Sequence, residues 1–165
     1  MTTHCRPDNL DEITMAARAA LAASAGQYHQ AVILVGLPPQ QVDALAGELG
    51  ASVVAVGAAL AGRLIEEPVR SRPWAATRVL GEVIAESAPH PVLLHHIEVL
   101  FEPALQADPM AMLRQLSRDR PIIVIWPGQL DGDDLVYANP GHPEYRRDSA
   151  KDLMVVAANA QGTTA

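Results

Sequence analysis

A single cysteine, Cys5, is the only thiol in this chain of 165 residues. One thiol closes no internal disulfide and holds no zinc ion by itself, so neither cross-link carries the fold. Near the N-terminus it reads as a free terminal thiol, which fits a reducing compartment. Aromatic residues are scarce at 4%, which leaves the core to Val, Leu, Ile and Ala. With 49% hydrophobic and 19% charged residues the composition is globular, not disordered, and the length suits one domain with a real core. The charge excess is acidic, −7 with an isoelectric point near 5.2, and such a surface repels phosphate backbones. Broad electrostatic binding of nucleic acid is not expected, though Arg114, Arg118 and Arg120 could form a local basic patch. No apolar run approaches the ~20 residues of a membrane span, and MTTHCRPDNLDE has no charged-then-apolar leader pattern. The expectation is a cytoplasmic protein without membrane contact.

What is present alternates between two periodicities. Asp8 or Asn9 can cap a helix over 10–24, whose Leu10, Ile13, Ala17 and Leu21 fall at helical spacing and which Gly26 ends. The run AVILV, Ala31 to Val35, is wholly apolar and closed by Gly36, the habit of a strand covered on both faces. A helix follows from Pro39 or Gln40 to Leu49 with Gly50 as its stop. Strands are expected over 52–56, 92–96, 121–126 and 153–157, and helices over 58–66, 74–87 and 109–118. PGQLDGDD reads as a loop, 135–138 as a short extended piece, NPGHPEYR as irregular, and 159–165 as a frayed tail. This alternation predicts one α/β domain over 1–165, with 10–24 as an N-terminal helical extension. Its form is three layers around a mostly parallel sheet of about five strands, joined by right-handed crossovers.

An apolar strand, a loop opened by glycine and then a helix is the setting of a P-loop, and three-layer P-loop NTPase-like architecture is the specific expectation. The P-loop pattern is Gly, four residues, Gly, Lys, then Ser or Thr. Here Gly36 opens it, Gln40 ends the spacer, Gln41 stands at the second glycine, Val42 at the lysine and Asp43 at the hydroxyl position. Val42 brings no charge to terminal phosphates, Pro39 has no N–H to offer, and Asp43 places a negative charge beside phosphate while remaining able to ligate a metal. A plain strand-to-helix turn is the simpler reading of the loop taken alone.

Such enzymes also carry an apolar strand ending in Asp or Asp-Glu, which holds magnesium and activates water. In VLLHHIE that position is His95, followed by His96, with Glu98 beyond. Imidazole does not replace a carboxylate for magnesium, which prefers hard oxygen ligands. Neighbouring strand residues point to opposite faces, so His95 and His96 are not expected to chelate one ion together. Glu98 reads as a first-turn carboxylate of a helix.

The remaining motifs lie in IEVLFEPALQADPMAMLRQLSRDRPIIVIWPG and LVYANPGHPEYR. The residues in question are Ile97, Glu98, Leu100 and Phe101; Asp108 and Pro109; Leu116, Ser117, Arg118 and Arg120; Trp126 and Gly128; and Tyr137, Ala138, Pro140, Gly141, His142, Pro143, Glu144 and Tyr145. In this order they resemble BrxF, the small P-loop protein family of type 3 BREX (bacteriophage exclusion) systems. The resemblance spans about 31–156 and is most specific in its last third. It implies a P-loop fold and a place among anti-phage defence proteins. The family commonly has an intact Gly-Lys-Ser/Thr loop and an acidic residue where His95 stands; this chain departs at both, which implies loss of nucleotide hydrolysis.

Read by their own chemistry, Pro140, Gly141 and Pro143 fix a rigid loop that either presents His142, Glu144, Tyr145 and Arg146 to a partner or merely connects. Trp126 reads as a packing anchor at a strand end. Arg118 and Arg120 suit a helix C-terminus, with an arginine finger towards a neighbour's nucleotide as the alternative. Three functions follow as expectations. The first is a non-catalytic or weakly nucleotide-binding assembly or regulatory subunit, with no required cofactor and with other defence proteins or further copies of itself as partners. The second is an ATPase or nucleotide sensor using ATP and Mg2+, with Asp43 and Glu98 as metal ligands. The third is a DNA-binding adaptor working through the arginine patch.

Overall fold

The computed structural model describes residues 9–87 and 91–158. Expectations placed on His4, Cys5, Asp8, His90 and the tail 159–165 lie outside the described residues. The described residues open with α1 (Leu10–Ser24), whose N-cap Asn9 accepts a hydrogen bond from the Glu12 amide at 2.9 Å. Then come β1 (Ala31–Val35), a 3-10 turn at Pro39–Gln41, α2 (Val42–Leu49), β2 (Ser52–Ala55), α3 (Val56–Leu64) and α4 (Arg72–Glu86). After β3 (Val92–His95) two 3-10 turns, Ile97–Phe101 and Pro103–Leu105, lead to α5 (Pro109–Leu116) and β4 (Ile122–Trp126). The last elements are β5 (Gln129–Asp131), β6 (Asp134–Tyr137), β7 (Arg146–Ser149) and β8 (Met154–Ala157). Gly50 ends α2 in the left-handed conformation, whereas α1 ends at Ala25 without help from Gly26, which does not take up a positive φ.

Five strands form one parallel sheet in the order β2-β3-β4-β1-β8. β1 lies inside it between β4 and β8, and all five of its residues are buried. Alternate residues feed opposite faces: Ile33 and Val35 pack with α3, α4 and α5, while Val32 and Leu34 pack with α1 and α2. Each fully buried Val, Leu or Ile contributes roughly 1.5–3 kcal/mol relative to exposure, so a five-residue apolar strand is a strong fold determinant. The layering follows from the crossovers. The β1-to-β2 connection runs one way across the sheet and the later connections run back, so crossovers of a single hand must place α2 on one face and α3 to α5 on the other. The three-layer α/β architecture with a parallel five-stranded sheet is therefore present.

Two sequence expectations need correction. PGQLDGDD is not a plain loop: Gln129–Asp131 is a strand, turned back at Gly132 and Asp133 to pair with β6. Within the stretch expected to be irregular and its continuation, Arg146–Ser149 is also a strand, so β5, β6 and β7 form an antiparallel meander. β7 reads RRDS, with no apolar residue to betray it, and it forms because β6 offers a hydrogen-bonding edge. Trp126 fastens this meander to the main sheet. It is 3% exposed, its Nε1–H donates to the Val136 carbonyl at 3.0 Å, and its ring meets Phe101 edge-on. Gly128 permits the approach, because a Cβ there would sit 1.9 Å from the Val136 carbonyl oxygen.

Candidate functional site

The carboxyl ends of β1, β3 and β4 converge on a crevice of about 330 Å3, the position where open parallel sheets bind ligands. It is lined by Gly36 and Val42 from the loop after β1, by His95, His96 and Glu98 after β3, and by Trp126 at the end of β4. The structure thus gathers the degenerate loop and the acidic-strand position into one site. Gln40 and Asp43 are exposed at its side, and Gln41 is half-buried with its Oε1 enclosed and lacking a hydrogen-bond partner.

The loop is built for packing. Gly36 takes φ 84°, and a Cβ there would lie 2.8 Å from the Ala158 carbonyl oxygen, so glycine is required by close approach to the end of β8. Leu37 turns inward and is buried against α1 and α2. Pro38 and Pro39 have no N–H. Two donors further on are spent locally, the Gln41 amide on the Pro38 carbonyl at 2.9 Å and the Val42 amide on the Pro39 carbonyl. A phosphate cradle needs successive amides aimed inward; here two are absent and two are used.

The electrostatics point the same way. Among the described residues no lysine or arginine lines the crevice, while Glu98 does, and Asp43 lies near enough to act on His95. Burial, then the neighbouring His96, push His95 below the ordinary imidazole range, against the opposing pull of Asp43 and Glu98. A triphosphate here would meet carboxylates without a countercharge.

One geometric expectation is overturned. His95 and His96 do not face apart, because the strand stops at His95 and His96 adopts φ 53°. That left-handed residue is held by the Gly57 amide, which donates to the His96 carbonyl at 3.1 Å, and it brings the two rings to 4.4 Å between centroids. The described residues nevertheless hold no group of three or more ligand side chains suited to a metal ion. Glu98 does fall in the first turn of a short 3-10 segment.

The other sequence candidates divide. Tyr137 stacks on Phe101 at 4.1 Å beside the crevice, and burial, then Glu144, raise its phenol above the ordinary range. His142 Nδ1 accepts the Glu144 amide at 3.1 Å, Tyr145 is half-buried, and Arg146 donates to the Ala107 carbonyl at 2.7 Å. The loop spends much of its polar capacity on itself and on the segment before α5. Arg118 and Arg120 precede β4 and so lie at the other end of the sheet, away from the crevice. Arg114 leaves the expected patch, because it is bound bidentately to Asp152 at 2.8 Å. Sequence reasoning missed the inward packing of Leu37, and it named Gly128 as a motif residue without the close approach that requires it; the signals available were an apolar residue inside a proline-rich loop and a glycine two residues after a tryptophan at a strand end.

Comparisons with family models, with curated proteins and with solved structures found no match. Among the described residues no helix is long and apolar enough to cross a membrane.

Proposed function

We propose that this chain is a non-catalytic, P-loop-like subunit of a bacterial anti-phage complex of the type 3 BREX kind, acting in assembly or regulation. One observation carries the non-catalytic part: the turn from β1 into α2 lacks an N–H at Pro38 and Pro39, spends the Gln41 and Val42 amides on the carbonyls of those prolines, and presents no cation. The defence assignment rests on the sequence resemblance running from Ile97 to Tyr145. The scaffold reading is supported by Trp126, which lines the crevice and packs on Phe101, itself stacked on Tyr137, so an aromatic cluster stands at the end of the sheet where a nucleotide would react.

Three measurements test it. Bound ligand at 100 times its dissociation constant adds about 2.7 kcal/mol to stability, so Mg-ATP at millimolar concentration is expected to leave the melting temperature unchanged. A clear rise would establish nucleotide binding and reject the inert loop. In the native host, deleting the gene should abolish phage protection, and both wild type and an Asp43→Ala/Glu98→Gln double variant should restore it equally. Failure of that variant alone would favour an ATPase that uses those carboxylates for magnesium. Salt-dependent retention on duplex DNA would favour the adaptor reading.

A further inference from the structure

Away from the crevice, a cleft of about 640 Å3 lies between α4 and the end of α5, beyond the N-terminal end of β4. Gly81 lets Leu116 come within 3.4 Å of the position a Cβ would take, so the floor is closely packed. The walls are unusual for this protein. Trp74 is 81% exposed at one end, the most exposed of the large apolar residues, and it faces the cleft together with Arg78, Arg118 and Arg120. Within α4 the inward stripe is Ala75, Ala76, Val79, Leu80 and Ile84, so Trp74 is outside the core and contributes nothing to it.

The arginines differ in availability. Arg78 is held between Glu67 at 2.7 Å and Glu82 at 3.0 Å, which neutralises its wall. Arg118 lies over the Tyr28 ring at 5.1 Å, and Arg120 donates to the Ala85 carbonyl at 3.2 Å. Neither forms an ion pair among the described residues, and Asp119 between them is the cleft's only carboxylate. Two cations with remaining donors beside an exposed indole, on a chain of net charge −7, make a local reversal of sign. Trp and Arg are the residue types that dominate binding hot spots.

We infer that the α4–α5 cleft is a docking site for an acidic segment of a partner protein, whose carboxylates pair with Arg118 and Arg120 while an apolar side chain covers Trp74. A nucleic acid fits less well. It would need a track of cations, whereas only two are uncommitted, one wall is already neutral, and the overall field repels a polyanion. The inference stands apart from the reading of the crevice, since it uses no residue of that site.

The test uses the full chain and three fluorescein-labelled probes: a peptide of about twelve residues alternating Glu and Leu, its Lys and Leu counterpart, and an oligo-thymidine of similar length. The acidic peptide should bind, weaken with added salt, and shift the emission of Trp74 to the blue. Affinity should fall by roughly tenfold or more in Arg118→Glu, in Arg118→Glu/Arg120→Glu and in Trp74→Ala, with Arg70→Glu unchanged as a surface control. Arg118→Glu alone leaves the Arg120 to Ala85 bond in place, so its loss of binding cannot be attributed to a loosened α4. Absence of acidic-peptide binding, equal binding by the variants, or preference for oligo-thymidine would overturn the inference. So would concentration-dependent self-association abolished by the same substitutions, which would assign the cleft to a second copy of the chain.

Discussion

The five-stranded sheet and the β5–β7 meander are both β-structure, yet different forces hold them. In the sheet, β1 and the first three residues of β3 are buried on both faces, and side chains such as Leu93 and Leu94 have no exposed surface. In the meander only Leu135 is buried to that degree. Leu130 and Tyr137 pack against the core only in part, and polar ties supply much of the rest: Arg147 bridges Asp131 and Asp134, each at 2.9 Å, and the Trp126 indole holds Val136. Asp148 even carries a cost, with Oδ2 buried and lacking a partner, and burial pushes its carboxyl group above the usual range. Apolar burial is thus concentrated in the sheet, and the meander, tied to the same core through Leu135, is expected to open at lower cost than the sheet.

The comparison is broken most severely by Leu93→Ala. Its cavity in the sheet should cost about 2–5 kcal/mol and lower stability globally, read as a shifted denaturant midpoint with every probe moving together. If the meander alone loosened, the assignment of the global core would fail. Trp126→Phe keeps a ring but leaves the Val136 carbonyl without its donor, at a cost of roughly 1–3 kcal/mol. Amide exchange should then quicken over 134–149 while β1 stays protected; equal quickening in both would mean that they form one cooperative unit.

His95 sharpens the comparison on the side of the sheet. Its folded pKa lies below the ordinary 6.5, so in the window beneath that value the unfolded chain holds more protons than the folded one. The stability it permits is present above about pH 6.5 and is lost as the pH falls towards the folded value. Melting temperatures from pH 7.5 to 5.5 should therefore decline less steeply in His95→Gln than in wild type, and identical slopes would remove His95 as the cause. The smallest effect belongs to Arg147→Ala. Its ion pairs are exposed and screened, so the global midpoint should hardly move, and only local protection at β5 and β6 should fall. A large global loss there would contradict the division between the two regions.

Legibility follows the same line. Ala31–Val35 and Leu10–Ser24 can be bounded from sequence to the residue, because their burial patterns repeat at the strand and helix periods. The absence of a lysine, a hydroxyl and a second glycine after Gly36 was equally plain, since it is a matter of residue identity. β5 and β7 were not legible, because Gln129–Asp131 and Arg146–Ser149 become strands only when β6 lies between them.

What the sequence determined by itself is the alternation of elements, the parallel sheet and the lack of phosphate-binding side chains, all of which depend on periodicity and identity within a short stretch of chain. Only the tertiary structure decided that the Gln41 and Val42 amides are spent, that His95 and His96 meet through the bond from Gly57, and that Trp74 shares a cleft with Arg118 and Arg120. Those outcomes are set by which donors, charges and rings are brought within a few ångströms across long sequence separations, and no local pattern encodes that.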